Sequence, residues 1–113
     1  MADGQDAPAR LKPTRHHGAV CVVARLEAAP GAEAVLERAL GAFANAVRGE
    51  EAGCTSYYVT RHIGAPEHFA VHARFADWAA FKAHAETPHM ERALPRITAA
   101  LAAPMGLEIF FEV

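Results

Sequence analysis

The spacing of hydrophobic residues changes several times along this chain, and the order of those changes restricts the fold more than any other sequence feature. Four segments are rich in β-branched residues or alternate between apolar and polar, as strands do, at residues 19–26, 54–62, 67–75 and 107–113. Two segments space their apolar residues by three and four, as helices with one buried face do, at residues 30–48 and 77–103. The order β-α-β-β-α-β predicts the α+β class and a ferredoxin-like fold, with helices on one face of a four-stranded antiparallel sheet.

Local signals mark the ends of the helices. Pro30 suits the first turn of the first helix, because proline lacks the N–H that an initial helical residue leaves unpaired. Asp77 is an N-cap residue, and Thr87 followed by Pro88 forms a second N-cap, so the second helix should be split in two. Pro95 removes a backbone donor inside the later half and should kink it.

Length and composition predict one globular domain. The chain has 113 residues, of which 52% are hydrophobic and 21% are charged, close to the average for soluble domains. Residues 1–17 contain almost no apolar side chains and are interpreted as a flexible N-terminal leader, so the domain should span residues 18–113. The formal net charge of -2 provides no basic surface for nucleic acid.

The sequence also predicts a cytoplasmic location without membrane contact. The leader lacks the apolar core of a secretory signal, and no segment approaches the roughly 18 apolar residues that cross a bilayer. Cys21 and Cys54 should lie about two strand spacings apart, roughly 9–10 Å, which exceeds the reach of a disulfide. They are predicted to be free thiols.

No metal site is expected from the motifs. His68 and His72 have the four-residue spacing of a metal-binding pair on a helix, but on a strand they stand about 13 Å apart, too far to share one ion. The sequence contains no P-loop and no dinucleotide-binding glycine motif, so phosphoryl transfer and nucleotide binding also lack support.

The strands predict self-association. The first strand and residues 109–111 are apolar toward both faces of the sheet, whereas two helices can cover only one face. A second copy of the chain, docked sheet against sheet, would cover the other face, because a two-fold axis makes one apolar patch complementary to itself. The chain is therefore expected to form a homodimer.

Several segments resemble motifs of one family. The turn before the second strand reads Glu51-Ala52-Gly53-Cys54-Thr55-Ser56-Tyr57, close to E-P-G-C-x-x-Y, and the helix break reads Ala83-His84-Ala85-Glu86-Thr87-Pro88-His89-Met90, close to A-H-x-x-T-P-H-F/Y. Between them stands Phe75-Ala76-Asp77-Trp78-Ala79-Ala80-Phe81-Lys82, at a W-x-x-x-E/A-A-L-x position. With the join Ala24-Arg25-Leu26-Glu27-Ala28-Ala29-Pro30-Gly31, these segments make residues 19–113 similar to the antibiotic-biosynthesis monooxygenase family.

That resemblance implies a dimeric α+β barrel that acts on a small molecule. Family members include oxygenases that oxidise quinols or aromatic polyketides without a metal or flavin, enzymes that act on a small signalling sugar derivative, and haem-degrading proteins. The haem-degrading members have a ligating histidine where this chain has Leu94, which argues against haem. Many relatives end the third strand with a Y-E-x-W-like run, whereas this chain has His72-Ala73-Arg74-Phe75 and lacks the carboxylate.

Two histidines are the candidate catalytic residues. His72 lies on the third strand, from which its imidazole could face the helices and line a cleft. The alternative is a sheet-surface or dimer-contact residue. His89 follows Pro88 in the first turn of a helix, a position that suits a neutral imidazole acting as a base. The alternative is a role in the helix cap.

Four further residues are candidate substrate contacts. Tyr57 and Tyr58 point to opposite faces of the strand, so only one of them can enter the pocket. Tyr57 is the candidate because it belongs to the family-like turn motif, and the other tyrosine is expected at the dimer contact. Arg74 could hold an anionic phenolate, or else form a salt bridge at the rim. His84 and Trp78 could touch substrate, although packing in the core is the alternative for both.

Three functions remain open at this stage. The resemblance favours a cofactor-independent monooxygenase that oxidises a small quinol or aromatic polyketide with O2, in which a pocket base removes a phenolic proton. The second is an isomerase or another non-oxidative enzyme acting on a small metabolite. The third is a non-catalytic ligand-binding dimer.

Overall fold

The computed structural model describes residues 18–113, and their strands form one antiparallel sheet. The leader predicted at residues 1–17 lies outside the described residues. The strands are β1 (Val20–Glu27), β2 (Cys54–Arg61), β3 (His68–Phe75) and β4 (Gly106–Phe111), in the spatial order β2-β3-β1-β4. This order is the ferredoxin-like arrangement, so the predicted α+β fold is confirmed.

Residues 18–113 form three helices. They are α1 (Glu33–Glu50), α2 (Trp78–Ala85) and α3 (Pro88–Ala99). Asp77 Oδ1 accepts a hydrogen bond from the Ala80 N–H at 2.8 Å, and Thr87 Oγ1 accepts one from the Met90 N–H at 3.1 Å. The predicted split of the second helix is therefore confirmed.

The start of α1 differs from the prediction. Pro30 lies in a turn before the helix rather than in its first turn, because Gly31 has a φ of 85°. That left-handed conformation cannot belong to a right-handed helix, so helical geometry begins only at Glu33. Pro95, unlike Pro30, lies inside a helix, because α3 continues through it to Ala99.

The two faces of the sheet have different surroundings. One face of β1 and β3 is buried against the helices. In the core, strand residues pack against the apolar stripe of α1. The strand residues include Val22, Leu26, Val71 and Phe75, and the helix residues are Leu36, Leu40, Phe43 and Val47. We call the other side the open face, because none of the described helices covers it. Tyr58 and Phe110 lie there with 63% and 50% of their surface exposed.

Two further features concern the cysteines and the lengths of the helices. Cys21 and Cys54 are free thiols, as predicted from their separation across the sheet. Within residues 18–113, no helix is both long enough and apolar enough to cross a bilayer.

Candidate functional site

A buried carboxylate bonded to two imidazoles is the central feature of the helix side. Glu51 is the C-cap residue of α1, and 9% of its side chain is exposed. His84 Nδ1 lies 2.9 Å from Glu51 Oε1 and 3.1 Å from Oε2, while His89 Nε2 lies 2.5 Å from Oε2. No lysine or arginine in residues 18–113 pairs with this carboxylate, so the two histidines are what allow it to be buried.

The hydrogen-bond network assigns the protons of the two rings. An ionised carboxylate can only accept hydrogen bonds, so each nitrogen that faces Glu51 must carry a proton. In the neutral forms, His84 therefore has its proton on Nδ1 and His89 has its proton on Nε2. The second nitrogen of each ring, His84 Nε2 and His89 Nδ1, is then an acceptor, and no group in the described part of the chain bonds it.

Aromatic rings enclose the cluster. The His84 ring lies 5.0 Å from Phe75, 5.7 Å from Phe43 and 5.9 Å from Tyr57, measured between centroids. The His89 ring also lies 5.7 Å from Phe43. Such apolar walls reduce the local dielectric constant, so charge interactions inside the cluster are stronger than they would be in water.

The break between α2 and α3 is what lets both histidines reach one carboxylate. On a continuous helix, residues five apart point about 140° away from each other. Here the Thr87-Pro88 junction interrupts the helix, and the Thr87 hydroxyl donates to the His84 carbonyl at 3.1 Å while it caps α3. The capping residue therefore links the two helix ends that carry the imidazoles.

The turn that carries Glu51 packs closely against α2 because Gly53 has no side chain. A Cβ atom added at Gly53 would lie 2.6 Å from the Ala80 Cβ, closer than two carbon atoms can approach. The Glu51 carbonyl also accepts a hydrogen bond from the Cys54 N–H at 3.0 Å. Glycine at this position therefore allows the turn to pack directly on the helix of His84.

Tyr57 contributes a neutral phenol to the wall. Only 5% of Tyr57 is exposed, and this burial raises the pKa of its hydroxyl well above the ordinary value. The nearby Cys54 and Glu51 raise the pKa further through charge repulsion. None of the hydrogen bonds within residues 18–113 involves that hydroxyl. Burial likewise raises the pKa of the Cys54 thiol, with the Glu51 charge as the second cause.

A groove between α1 and α3 leads to this cluster. Its volume is about 230 Å³, and its walls are formed by Ala39, Ala42, Phe43, Ala46, His89, Arg92, Ala93 and Arg96. His89 is 6% exposed and is the member of the cluster that lines the groove. A small molecule in this groove can therefore meet an imidazole that is backed by a carboxylate.

A larger cavity, of about 460 Å³, lies near the loop between β2 and β3 and does not include the Glu51 cluster. Its basic side chains are already paired with carboxylates. Arg25 contacts Glu108 at 3.4 Å, and Arg61 contacts Glu37 at 2.8 Å. We therefore regard the smaller groove as the candidate site, because it adjoins buried acid–base groups.

The structure brings together three of the six sequence-predicted site residues and places the other three, His72, Arg74 and Trp78, elsewhere. His89, His84 and Tyr57 meet on the helix side. His72 does not face the helices as expected, because it alternates with the buried Val71 and Ala73 and so points to the open face. There its Nε2 lies 3.1 Å from Thr60 Oγ1.

Arg74 lies on the same open face as His72. Its guanidinium donates to both carboxylate oxygens of Glu112, at 2.9 and 2.6 Å, and to Thr55 Oγ1 at 3.0 Å. This pairing raises the pKa of Arg74 and lowers that of Glu112. The geometry matches the rim salt bridge that was the alternative for this residue.

Trp78 and Phe81 pack against each other at the edge of the core, with their ring centroids 5.3 Å apart. Trp78 does not line the groove between α1 and α3. Its contacts are those of the packing role that was the alternative to a substrate contact.

Glu51 is the site residue that the sequence did not identify. In the sequence it is only the first residue of the family-like turn motif, and no role follows from that position. The sequence did contain a signal, because an acidic residue opened that motif while two histidines flanked Thr87-Pro88.

Within the described range, no three His, Cys, Asp or Glu residues are grouped so that they could hold a metal ion.

The fold and the site together define a small ferredoxin-like α+β protein with an acid–base cluster between its sheet and its helices. The sequence profile described as antibiotic biosynthesis monooxygenase matches residues 19–96. The chain belongs to this family, so the resemblance seen in its motifs is confirmed. Among curated proteins, none has a matching sequence.

Solved structures agree with this assignment. A candidate antibiotic biosynthesis monooxygenase from Caulobacter crescentus is similar at a TM-score of 0.82 and 27% identity, over 86% of this chain and 92% of the other. PA3566 from Pseudomonas aeruginosa has a TM-score of 0.76 and 27% identity, over 88% and 98%. Rv0793 from Mycobacterium tuberculosis has a TM-score of 0.79 and 23% identity, over 85% and 96%, and shows the shared fold.

Proposed function

We propose that this protein is a cofactor-independent monooxygenase that oxidises a small quinol or a related electron-rich phenol with O2. The observation that supports this best is the buried Glu51 carboxylate, bonded to both His84 and His89 beside a groove. Membership of the antibiotic biosynthesis monooxygenase family supports a monooxygenase reaction. The residues give the acid–base chemistry that such a reaction needs.

His89 is the proposed general base. It lines the groove, and its Nδ1 carries a lone pair when Nε2–H donates to Glu51. When His89 takes the phenolic proton, the adjacent carboxylate stabilises the imidazolium that forms, as the acid of a catalytic triad does. His84 holds the same carboxylate from the other side and thereby fixes its orientation.

The proposed reaction balances without a cofactor. Proton removal gives a phenolate, which is a much stronger reductant than the neutral phenol and transfers electrons to O2. One oxygen atom then forms a new bond to a ring carbon, and the other leaves as water. A hydroquinone and one O2 thus give a hydroxyquinone and one water. The ring loses two hydrogen atoms and gains one oxygen atom, so it supplies all four electrons that O2 accepts.

The test is oxygen consumption by purified, metal-stripped protein with a panel of hydroquinones. The proposal predicts uptake above the rate in buffer for at least one member, with one water formed per ring oxidised. His89→Asn should lower kcat by about 10²–10⁴-fold, the usual contribution of a general base. His68→Asn is the matched control, because that imidazole is exposed on β3 and contacts Glu67.

Three results would contradict the proposal. No oxygen uptake above buffer across the panel would remove the monooxygenase assignment. Equal loss of activity in His89→Asn and His68→Asn would remove the assigned role of His89. A substrate that the protein converts in the absence of O2 would instead indicate an isomerase or another non-oxidative enzyme.

A further inference from the structure

Two arginines in the wall of the groove have no partner in the described part of the chain. Arg92 and Arg96 lie one turn apart on α3, and both line the groove that His89 also lines. Neither makes a hydrogen bond or ion pair with any residue in 18–113. By contrast, Arg25, Arg61 and Arg74 all pair with glutamates.

The groove has a marked charge asymmetry. Its eight lining residues include the two arginines and His89 but no acidic residue, and the remaining five are four alanines and Phe43. Residues at positions i, i+3, i+4 and i+7 share one face of a helix, so His89, Arg92 and Arg96 lie along one side of the groove. A ligand there meets a cationic end, an apolar middle and an imidazole.

We propose that the groove selects an anionic single-ring substrate, such as a hydroxylated aromatic carboxylate. This inference rests on the proposed function, because it names the substrate class for the same site. Arg92 and Arg96 would hold the carboxylate by charge-assisted hydrogen bonds, with the ring against Phe43 and the alanines and a phenolic oxygen toward His89.

The dimensions of the groove agree with a ligand of this size. Its volume of about 230 Å³ lies below the range of about 300–1,000 Å³ that holds drug-sized molecules. Alanines at 39, 42, 46 and 93 leave room for a flat ring between the two helices. A ring with one carboxylate fits this space better than a polycyclic substrate does.

The charge requirement can be tested with a matched pair of compounds. Gentisate, which is 2,5-dihydroxybenzoate, differs from hydroquinone by one carboxylate. Anaerobic calorimetry measures how tightly each binds without turnover, and oxygen uptake measures kcat and KM. The proposal predicts that wild-type protein binds gentisate at least about tenfold more tightly than hydroquinone.

Variants then locate the selectivity. Arg92→Gln and Arg96→Gln should each weaken gentisate binding and raise its KM by about tenfold, with a much smaller change in the KM for hydroquinone. Arg92→Lys should recover part of the affinity because it keeps the charge. Arg38→Gln is the control, since Arg38 is an exposed residue of α1 that does not line the groove.

The outcomes separate this inference from the proposed function. The inference is overturned if wild-type protein binds gentisate and hydroquinone with equal affinity. It is also overturned if Arg38→Gln loses as much gentisate affinity as Arg92→Gln. In either case, oxidation of hydroquinone would still support the monooxygenase. Arginine-dependent binding of gentisate, with no oxygen uptake from gentisate or from any hydroquinone of the panel, supports the inference about ligand class and overturns the proposed reaction.

Discussion

At the scale of single residues, the site depends on how three polar groups satisfy one another. A buried carboxylate without partners is costly, and here two imidazole N–H groups replace the water that Glu51 loses. The same arrangement leaves one lone pair on each ring. The hydrogen bonds that stabilise the buried Glu51 carboxylate thus also leave each histidine able to act as a base. Of the two histidines, His89 lies next to the groove.

Tyr57 gives a prediction about pH. Burial raises its pKa in the folded protein, whereas an unfolded tyrosine ionises near about 10. Stability should therefore be unaffected by this group at neutral pH and should fall as the pH rises above that value, because only the unfolded state then releases the proton. In Tyr58→Phe, Tyr57 is the only tyrosine left, so phenolate absorbance reports on it alone.

An alkaline titration of Tyr58→Phe, followed by absorbance and circular dichroism together, checks this expectation. Phenolate should appear only as the native dichroism is lost. Ionisation near about pH 10 with the fold intact would contradict the account of Tyr57 as a buried phenol.

Some of these residues could be predicted from the sequence and others could not. His89 was found because Thr87-Pro88 is a local capping signal that places the next residue in a first helical turn. Glu51 was missed because its burial arises when the end of α1 packs against α2 and α3, which local patterns do not encode. For His72 the sequence left two positions open, the helix side and the sheet surface, and the apolar alternation of Phe69, Val71 and Ala73 favours the sheet surface, where the structure has it.

At the scale of elements, the turn before β2 and the break between α2 and α3 determine where the site forms. The strands and caps were predictable because periodicity and capping act over a few residues. The first turn of α1 was not, because the left-handed conformation of Gly31 delays the helix past Pro30. The contact between Gly53 and Ala80 joins elements far apart in the sequence, so only the folded structure reveals it.

Two glycine substitutions should have opposite effects on stability. Gly53→Ala should lower the free energy of unfolding by about 1–3 kcal/mol, because the new Cβ would meet Ala80 at 2.6 Å. Gly41→Ala should raise it by about 0.5–1 kcal/mol, because this site inside α1 has no atom within 4 Å of the added Cβ and alanine favours the helix. Urea unfolding of both variants measures the difference. A stabilising Gly53→Ala would refute the close packing of the turn.

At the scale of the whole molecule, the open face of the sheet is the main unexplained surface. Tyr58 and Phe110 lie exposed on the two edge strands, and Val23 lies between them on β1. Paired charges such as Arg74 with Glu112 cross the same face. The homodimer predicted from the strands stays a prediction, and this face is where it should form.

A pair of β4 variants tests that prediction. Phe110→Lys places a charge on the open face and should convert a dimer into a monomer in light scattering. Leu107→Lys is the control, since Leu107 is comparably exposed but points to the other side of the same strand. A monomeric wild-type protein, or dissociation of both variants, would contradict dimerisation through the open face.

The most direct test of the central claim is the turnover number of Glu51→Gln in oxygen-uptake assays with a quinol that the wild type oxidises. Glutamine has no charge to stabilise an imidazolium, and its single carbonyl oxygen replaces two carboxylate acceptors. The account predicts a loss of about 10²–10⁴-fold in kcat, with no loss in Glu50→Gln, an exposed neighbour at the end of α1. A folded Glu51→Gln protein with kcat within about threefold of the wild type would contradict the claim that this carboxylate and its histidines form the catalytic base.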